Sequence, residues 1–453
     1  MSTFHGLEIG KRSLFAQQAA LSTTGHNIAN SNTLGYTRQR VELEAARSIH
    51  YPGMNSDRSP QQMGTGVSPA QIVRIREDYL DLQFRNENTA SGYWETMSDV
   101  YMKMEGILAE PSNTGLQAVM DQFWQGWQEL AKDPNSSAAR KVVEERGVTV
   151  ADTFNHIAKS LTRLETDLEN VMKTKVKEVN SLAEQISELN DQIGRLVPHG
   201  HIPNDLYDKR DLLIDQLSKL VDVEVKPASI PGIPPDKHGM ITVSLGGQTL
   251  VDPSDNPKFN ELVYSETSGF TLDGGIPALI SGELMGIVEG KDAVNSTLKD
   301  INSLATGIAN AVNTKIGNGP DFFSGGDAIS IEVKRDSLDG INFDEGNPNL
   351  AQRIADLKFE DIDELGTTFD DDYRQIISGL GIRSQQASRM ANNSDVLLNQ
   401  IDLQRQSVSG VSLDEEMVNM IRYQQAYNAA ARFVTTIDEV LDRVVNGMGR
   451  VGL

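Results

Sequence analysis

Counted from Leu413, apolar side chains recur every seven residues at Met420, Tyr427, Val434, Leu441 and Met448. Met417, Ala431 and Val445 fall between them at the alternate three- and four-residue steps, with Gln424 and Asp438 interrupting that second row. A 3–4 stripe this narrow is the seam of a coiled coil rather than the broad apolar face of a globular helix. Ser412 and Glu415 stand three apart just before it, in the spacing of a capping box. At the other end of the chain Leu7, Leu14, Leu21 and Ile28 also repeat every seven. The two ends are therefore expected to pair, Leu7, Leu14, Leu21 and Ile28 against Leu413, Met417, Met420, Tyr427, Val434 and Leu441. Asn27 and Asn30, with Asn32, suit a first helix that ends in turns capped by side chains, and Gly35 is free to take a positive φ.

Between the ends the helical period dominates. Residues 77–108 and 114–132 carry helical apolar spacing, and the second holds Phe123, Trp124 and Trp127. A helix capped by Ser136 or Ser137 then keeps the 3–4 step from Val150 to Leu196, Lys175 being the one gap in its row. At about 1.5 Å per residue that helix is a rod tens of ångströms long. Helical patterns return at 205–221, 284–316 and 373–409. Short β-like runs at 223–225, 241–245, 250–251 and 262–264, punctuated by prolines and by Gly246-Gly247, break the helical period, and a second β segment follows at 322–343. The expected fold is mainly α with a smaller β region: an elongated multi-domain rod with paired terminal helices, a helical-bundle core and a small inserted β-rich domain. The expected units are 1–75 with 410–453; 76–222 with 276–319 and 346–409; and 223–275 with 320–345.

The composition removes several function classes. A formal charge of −23 over 453 residues argues against binding nucleic acid, because phosphate affinity needs concentrated Lys and Arg. With no cysteine there is no disulfide, thiolate nucleophile or cysteine metal site. No stretch approaches the roughly 18–20 apolar residues of a membrane span. The N-terminus lacks the apolar core and cleavage site of a signal peptide, so export, if it occurs, is expected to leave it uncleaved. His199 and His201 have no third ligand near in sequence and read as a solvated turn. Gly246-Gly247 lacks the context of a phosphate cradle and reads as a hairpin turn. Asp370, Asp371 and Asp372 lack the spacing of a calcium loop and suit a helix start. The tryptophans read as helix-packing core. No catalytic constellation emerges, and no enzyme activity, cofactor or metal is expected.

One stretch carries more than periodicity. Residues 27–39 read Asn-Ile-Ala-Asn-Ser-Asn-Thr-Leu-Gly-Tyr-Thr-Arg-Gln, which resembles the N-terminal signature of bacterial flagellar rod, hook and hook-associated axial proteins. The Gly-Tyr-Thr-Arg-Gln ending is nearer the hook-associated members than the hook protein, and Leu34 stands where the family usually has proline. Residues 409–437, with Arg-Tyr-Gln-Gln-Ala-Tyr at 422–427, and Tyr-Asp-Lys-Arg-Asp at 207–211 carry the same resemblance. It implies a structural protein at the junction of flagellar hook and filament, assembled as a tube with the paired terminal helices on its inner wall. It further implies export through the flagellar type III apparatus. The implied partners are further copies of the chain, the hook protein, hook-associated protein 3 and an export chaperone on the C-terminal helix, with no membrane insertion. The alternatives are another axial component such as hook or distal rod protein, a secreted enzyme displayed on a flagellar scaffold, and a cytoplasmic coiled-coil adaptor. The adaptor explains the seams but not residues 20–40.

Overall fold

The computed structural model describes residues 4–46, 64–108, 115–254, 259–265, 269–317, 319–339, 341, 343, 349–361 and 366–447. In chain order the elements are α1 (His5–Ala29), β1 (Gln39–Ala45), β2 (Val67–Arg74), α2 (Asp78–Leu108), α3 (Leu116–Lys132), α4 (Ser137–Leu196) and α5 (Asn204–Leu220). Then come β3 (Val223–Pro227), β4 (Ile241–Leu245), β5 (Gln248–Val251), β6 (Leu262–Ser265), β7 (Gly269–Leu272) and α6 (Glu283–Ile316). β8 (Phe323–Ser324), β9 (Glu332–Val333), α7 (Leu350–Ala355), α8 (Phe369–Ser409) and α9 (Leu413–Gly447) complete the chain. The molecule is mainly helical and elongated, with small antiparallel sheets, as expected.

The 60-residue α4 is the axis. Its first turn is capped by the Ser136 hydroxyl, which accepts from the Ala139 amide at 3.3 Å. Pro198 ends it, and Gly200, at φ 85°, turns the chain away. Sixty residues give a helix about 90 Å long. Phe154, Leu161, Ile186 and Ile193 are fully buried along its row. Where that row meets Lys175, Val176 takes the buried place, and Lys175 turns out to Glu283 (2.9 Å) and Glu178 (3.2 Å). α3, α5 and α6 pack along it, α2 touches it, and α8 packs on α2 and α6. Near its N-terminal end Phe123, Trp124, Trp127, Phe322, Phe323, Phe343 and Phe369 form one buried aromatic cluster, with Trp124 stacked on Phe369 at 5.9 Å and Trp127 beside Phe343 at 5.9 Å. The two tryptophans are core, as expected, and Trp94, half-buried and edge-on to Tyr93 at 4.9 Å, packs against the same core.

Helix asparagines fasten the strands to the bundle. On α4, Asn190 donates to the Ile241 carbonyl at 2.9 Å and accepts from its amide at 3.3 Å. Asn180 does the same for Leu262, at 2.9 and 2.8 Å. Each satisfies both polar groups of one residue at a sheet edge that would otherwise be left unpaired. Gly246 (φ 50°) and Gly247 (φ 83°) form the β4–β5 turn, whose two positive φ values require glycine-like residues. The β8–β9 hairpin is held elsewhere: Asn155 of α4 donates to the Ile331 carbonyl at 2.8 Å, and Asn313 of α6 brackets Phe322 and Phe323. Asn155 lies 25 to 35 residues before the other two clamps on α4, about 40–50 Å along the helix. The expectation that 320–345 joins 223–275 in one β-rich unit is therefore corrected. The aromatic pair Phe322-Phe323 is drawn into the tryptophan cluster at the other end of the rod.

α1 and α9 pack antiparallel, as the chain numbering of their contacts shows: Gly6 lies against Ile437, Gly10 against Val434, and Asn27 against Glu416. The face of α1 that α9 approaches is made of small residues. A β-carbon on Gly10 would stand 2.5 Å from the Val434 side chain, and one on Gly6 3.0 Å from Ile437. The β1–β2 hairpin packs on α1 as well, with Gly66 against Ile9.

Candidate functional site

The terminal helices meet the rod at a cluster of buried polar and charged side chains. α1 ends at Ala29, and the Asn30 side chain caps it, donating to the His26 carbonyl at 3.1 Å and accepting from the Thr33 hydroxyl at 3.2 Å. Gly35 then takes φ 77° with Leu212 close beneath it, which leaves Leu34 at the tip of the turn, 80% exposed. The return strand brings Tyr36, Arg38 and Gln39 back over α1.

Asn27 sits at the centre of this return, 1% exposed. Its amide donates to the Gln39 carbonyl (2.9 Å) and to Glu416 Oε2 (3.1 Å), while its oxygen accepts from the Tyr36 hydroxyl (2.8 Å) and the Gln39 amide (3.0 Å). Burial, and then the charges of Asp205, Asp208 and Glu416, push the Tyr36 hydroxyl well above its ordinary pKa, so it stays a donor. Glu416 is buried and also held by Arg38 at 2.8 Å, and Arg38 reaches Glu415 at 2.6 Å. Glu415 thus turns to Arg38, so only half of the expected capping box forms: its amide meets the Ser412 hydroxyl at 3.5 Å.

A second layer binds this turn to the rod. The Thr37 amide donates to Asp208 at 3.0 Å. Arg74 bridges Asp208 (2.9 Å) and Asp211 (2.7 Å) of α5. Arg76 pairs with Asp81 of α2 and with Asp211 at 3.2 Å. Arg85 of α2 and Arg405 of α8 hold Asp215 at 2.8 and 2.6 Å, and the Arg405 guanidinium lies 3.9 Å over the Phe84 ring. Burial alone would raise the Asp211 carboxyl; Arg76, Arg74 and Arg85 outweigh it and hold it below the ordinary 3.8. Nearby Arg210 has neutral acceptors, Asn190 Oδ1 at 3.0 Å and the Gly239 carbonyl at 2.8 Å. Burial brings its pKa down to about 10. This chain of alternating arginines and carboxylates joins α1, the hairpin, α2, α5, α8 and α9 at one point. Asp208, Asp211, Asp215 and Glu416 each have two or more polar partners, the condition under which buried ions hold geometry rather than destabilise it.

Three comparisons bear on what such a joint belongs to. A model of the flagellar hook-associated protein FlgK helical domain matches residues 101–328. Residues 7–37 match flagella basal body rod protein, and 402–447 match flagellar basal body rod FlgEFG protein C-terminal. Flagellar hook-associated protein 1 of Bacillus subtilis is 40% identical over 99% of both chains. The chain belongs to the flagellar hook-associated protein 1 family. It is a structural component of the bacterial flagellum, which places the joint and terminal helices in an assembly. The family member from Salmonella typhimurium is 24% identical over 96% of this chain and 98% of its own. The solved flagellar hook junction protein FlgK from Burkholderia pseudomallei shares the fold, with a TM-score of 0.61 at 13% identity over 74% of this chain and all of that one.

The sequence-predicted residues divide. Asn27 and Asn30 lie in the joint and its capping turn. Leu7, Leu14, Leu21 and Ile28 are half-buried, one residue round from the closely packed row Gly6, Ser13, Ala20, Asn27. On α9, Met420, Val434 and Leu441 are half-buried and Tyr427 is on the margin, but the other flank of the seam is Glu416, Tyr423, Ala430 and Ile437. Leu413 (48% exposed) and Met417 (51%) face out, with Val445 at 72%. The second row expected on α9 is thus corrected in part: Met417 and Val445 lie outside the pair while Ala431 is half-buried, because the small α1 residues let α9 approach on its Glu416–Ala430 side. Met448 lies outside the described residues. The arginine–aspartate layer was missed; the sequence separations, from 5 to 190 residues, give no periodic signal, and only the Tyr-Asp-Lys-Arg-Asp run pointed at it. Among the described residues no group of three or more His, Asp or Glu could hold a metal ion, and no helix is long and apolar enough to cross a membrane.

Proposed function

We propose that this chain forms the hook–filament junction, building a tube whose inner wall is the α1–α9 pair. The observation that carries the reading is the set of large apolar side chains that α9 leaves in solvent beside its seam with α1: Leu413, Met417, Val418, Ile421, Val440 and Val445 are 48–72% exposed. A helix apolar on both flanks, one filled from within the chain and the other open, is suited to burial against neighbouring copies. The assembly surface is accordingly Leu413 and Met417 with the margin residues Met420, Tyr427 and Leu441, while Leu7, Leu14, Leu21, Ile28 and Val434 hold the internal pair. Units 1–75 with 410–453 act as the anchor and 76–222 with 276–319 and 346–409 as the wall. The hook protein lies on one side, hook-associated protein 3 on the other, and an export chaperone covers the open flank of α9 before export through the flagellar apparatus with the N-terminus uncleaved. The joint transmits the wall's position to the anchor.

Deletion of the gene tests the role, scored for hooks and filaments by electron microscopy and for flagellin in the medium. Bare hooks with shed flagellin are expected. Normal filaments would exclude the junction role, and loss of hooks as well would place the chain further down the axis.

A further inference from the structure

The outer face of α8 differs from the rest of this acidic chain. One seven-residue row along it reads Ile382, Arg389, Val396, Leu403, and its three apolar members are 64–67% exposed. The flanking rows, counted by sevens from Gln385 and Gln386, hold only amides until Ser407 ends the second. Over about 35 Å of helix the face thus carries a single charge, on a chain whose net charge is −23. Two such chains repel over most of their surfaces, and an uncharged strip is where they can approach without setting like charges together. At its lower end Val396, Asn399, Gln400, Leu403 and Ser407 line a shallow groove of about 510 Å³.

The same level of the molecule carries a matching projection. Leu34, 80% exposed, tips an otherwise uncharged turn of Ser31, Asn32, Thr33 and Gly35. That turn faces the Asp402, Arg405, Gln406 and Ser409 side of α8 across a cleft that Ser407 also borders. At about 100° per residue, this side and the groove are about 120° apart around the helix. Projection and groove therefore share a height on the rod and face different directions. A contact joining them is head-to-tail between copies and turns at each step, the geometry that closes rings or winds helices.

We infer that Leu34 of one copy seats in the Val396–Leu403 groove of a second copy, forming the lateral contact of the assembly. This rests on the junction reading, and adds to it a contact remote from the α9 flank. The amides lining the groove bond the polar turn around Leu34, and the leucine fills the apolar centre.

Disulfide trapping tests it, since the chain has no cysteine. Flagella are isolated from a strain whose only copy carries Leu34→Cys with Leu403→Cys, then mildly oxidised. The expected result is a ladder of covalent dimers and higher multimers from the double variant and none from either single variant. Protein present in the flagella but still monomeric overturns the contact, as does cross-linking to a chain of different size. Dimers from a single variant place like faces together and also overturn it. Absence of the unsubstituted protein from isolated flagella instead contradicts the junction reading. As a second readout, Leu403→Glu should lose incorporation with its monomer melting unchanged, and Leu34→Lys added to it should restore incorporation. Failure of that rescue, with both monomers folded, counts against the pairing.

Discussion

The rod and the terminal pair are both helical and both patterned every three to four residues, yet they are packed by opposite means. Around α4 the interior is large side chains, with Phe123, Trp124, Trp127 and Phe154 wholly removed from solvent. Between α1 and α9 the glycines of α1 meet Val434 and Ile437 of α9, beside a buried asparagine–glutamate bond, while Leu413, Met417 and Val445 of α9 face out. The first arrangement removes enough apolar surface to be stable alone. The second brings two backbones close, removes little apolar surface, and leaves an apolar flank for other chains. One region is a finished core; the other is half of an interface.

The comparison can be broken most forcefully in the rod. Trp127→Ala removes the side chain that meets Phe123, Phe322 and Phe343, and should lower the rod's unfolding free energy by about 3–5 kcal/mol in denaturant titrations. A loss no larger than that of a surface substitution would deny that the cluster is core. Next in size is the joint. Asp211→Asn strips Arg74 and Arg76 of a shared partner and should cost about 3 kcal/mol, read as earlier proteolysis at the junction of hairpin and α5. Acid should act the same way. Because the folded-state pKa of Asp211 lies below 3.8, its contribution is whole above that value and is lost as pH falls through the depressed folded value. Joint opening at pH 5 with the rod intact would contradict this assignment.

Smaller effects separate the two faces of α9. Gly10→Leu drives a side chain into Val434 and should destabilise the helix pair by about 1–3 kcal/mol, leaving the rod's transition in place. Met417→Asp, on the open flank, should change monomer stability by no more than about 0.5 kcal/mol yet remove the protein from isolated flagella. Normal incorporation of that variant would mean the flank is not an assembly surface.

Much of the rod was legible because large apolar residues announce a buried face: the row from Val150 to Ile193, its interruption at Lys175, the Ser136 cap and the Gly246-Gly247 turn all appear as the pattern implies. The terminal seam was legible in existence and only partly in phase: Val434 meets Gly10, whereas Leu413 and Met417 face out. Leu7, Leu14 and Leu21 dominate any hydrophobic count, whereas Gly6, Gly10 and Ala20 admit the partner helix because they are small. The joint was hidden for a different reason. Arg38, Arg74, Arg76, Arg85 and Arg405 meet their carboxylates only after the chain has folded, and isolated charges in sequence look like solvated ones. Phe322 and Phe323 read as part of a β unit because their neighbours are β-like, while the asparagine clamp and the tryptophans decide where they go.

The rod is a complete core and the terminal pair an incomplete interface, and amide hydrogen exchange on the purified monomer and on isolated flagella measures that difference directly. In the monomer, residues 5–29 and 413–447 should exchange far faster than 150–196, and in flagella they should become protected while 150–196 change little. Equal protection of the terminal helices and α4 in the monomer would show that the terminal pair is already complete, and would contradict the account.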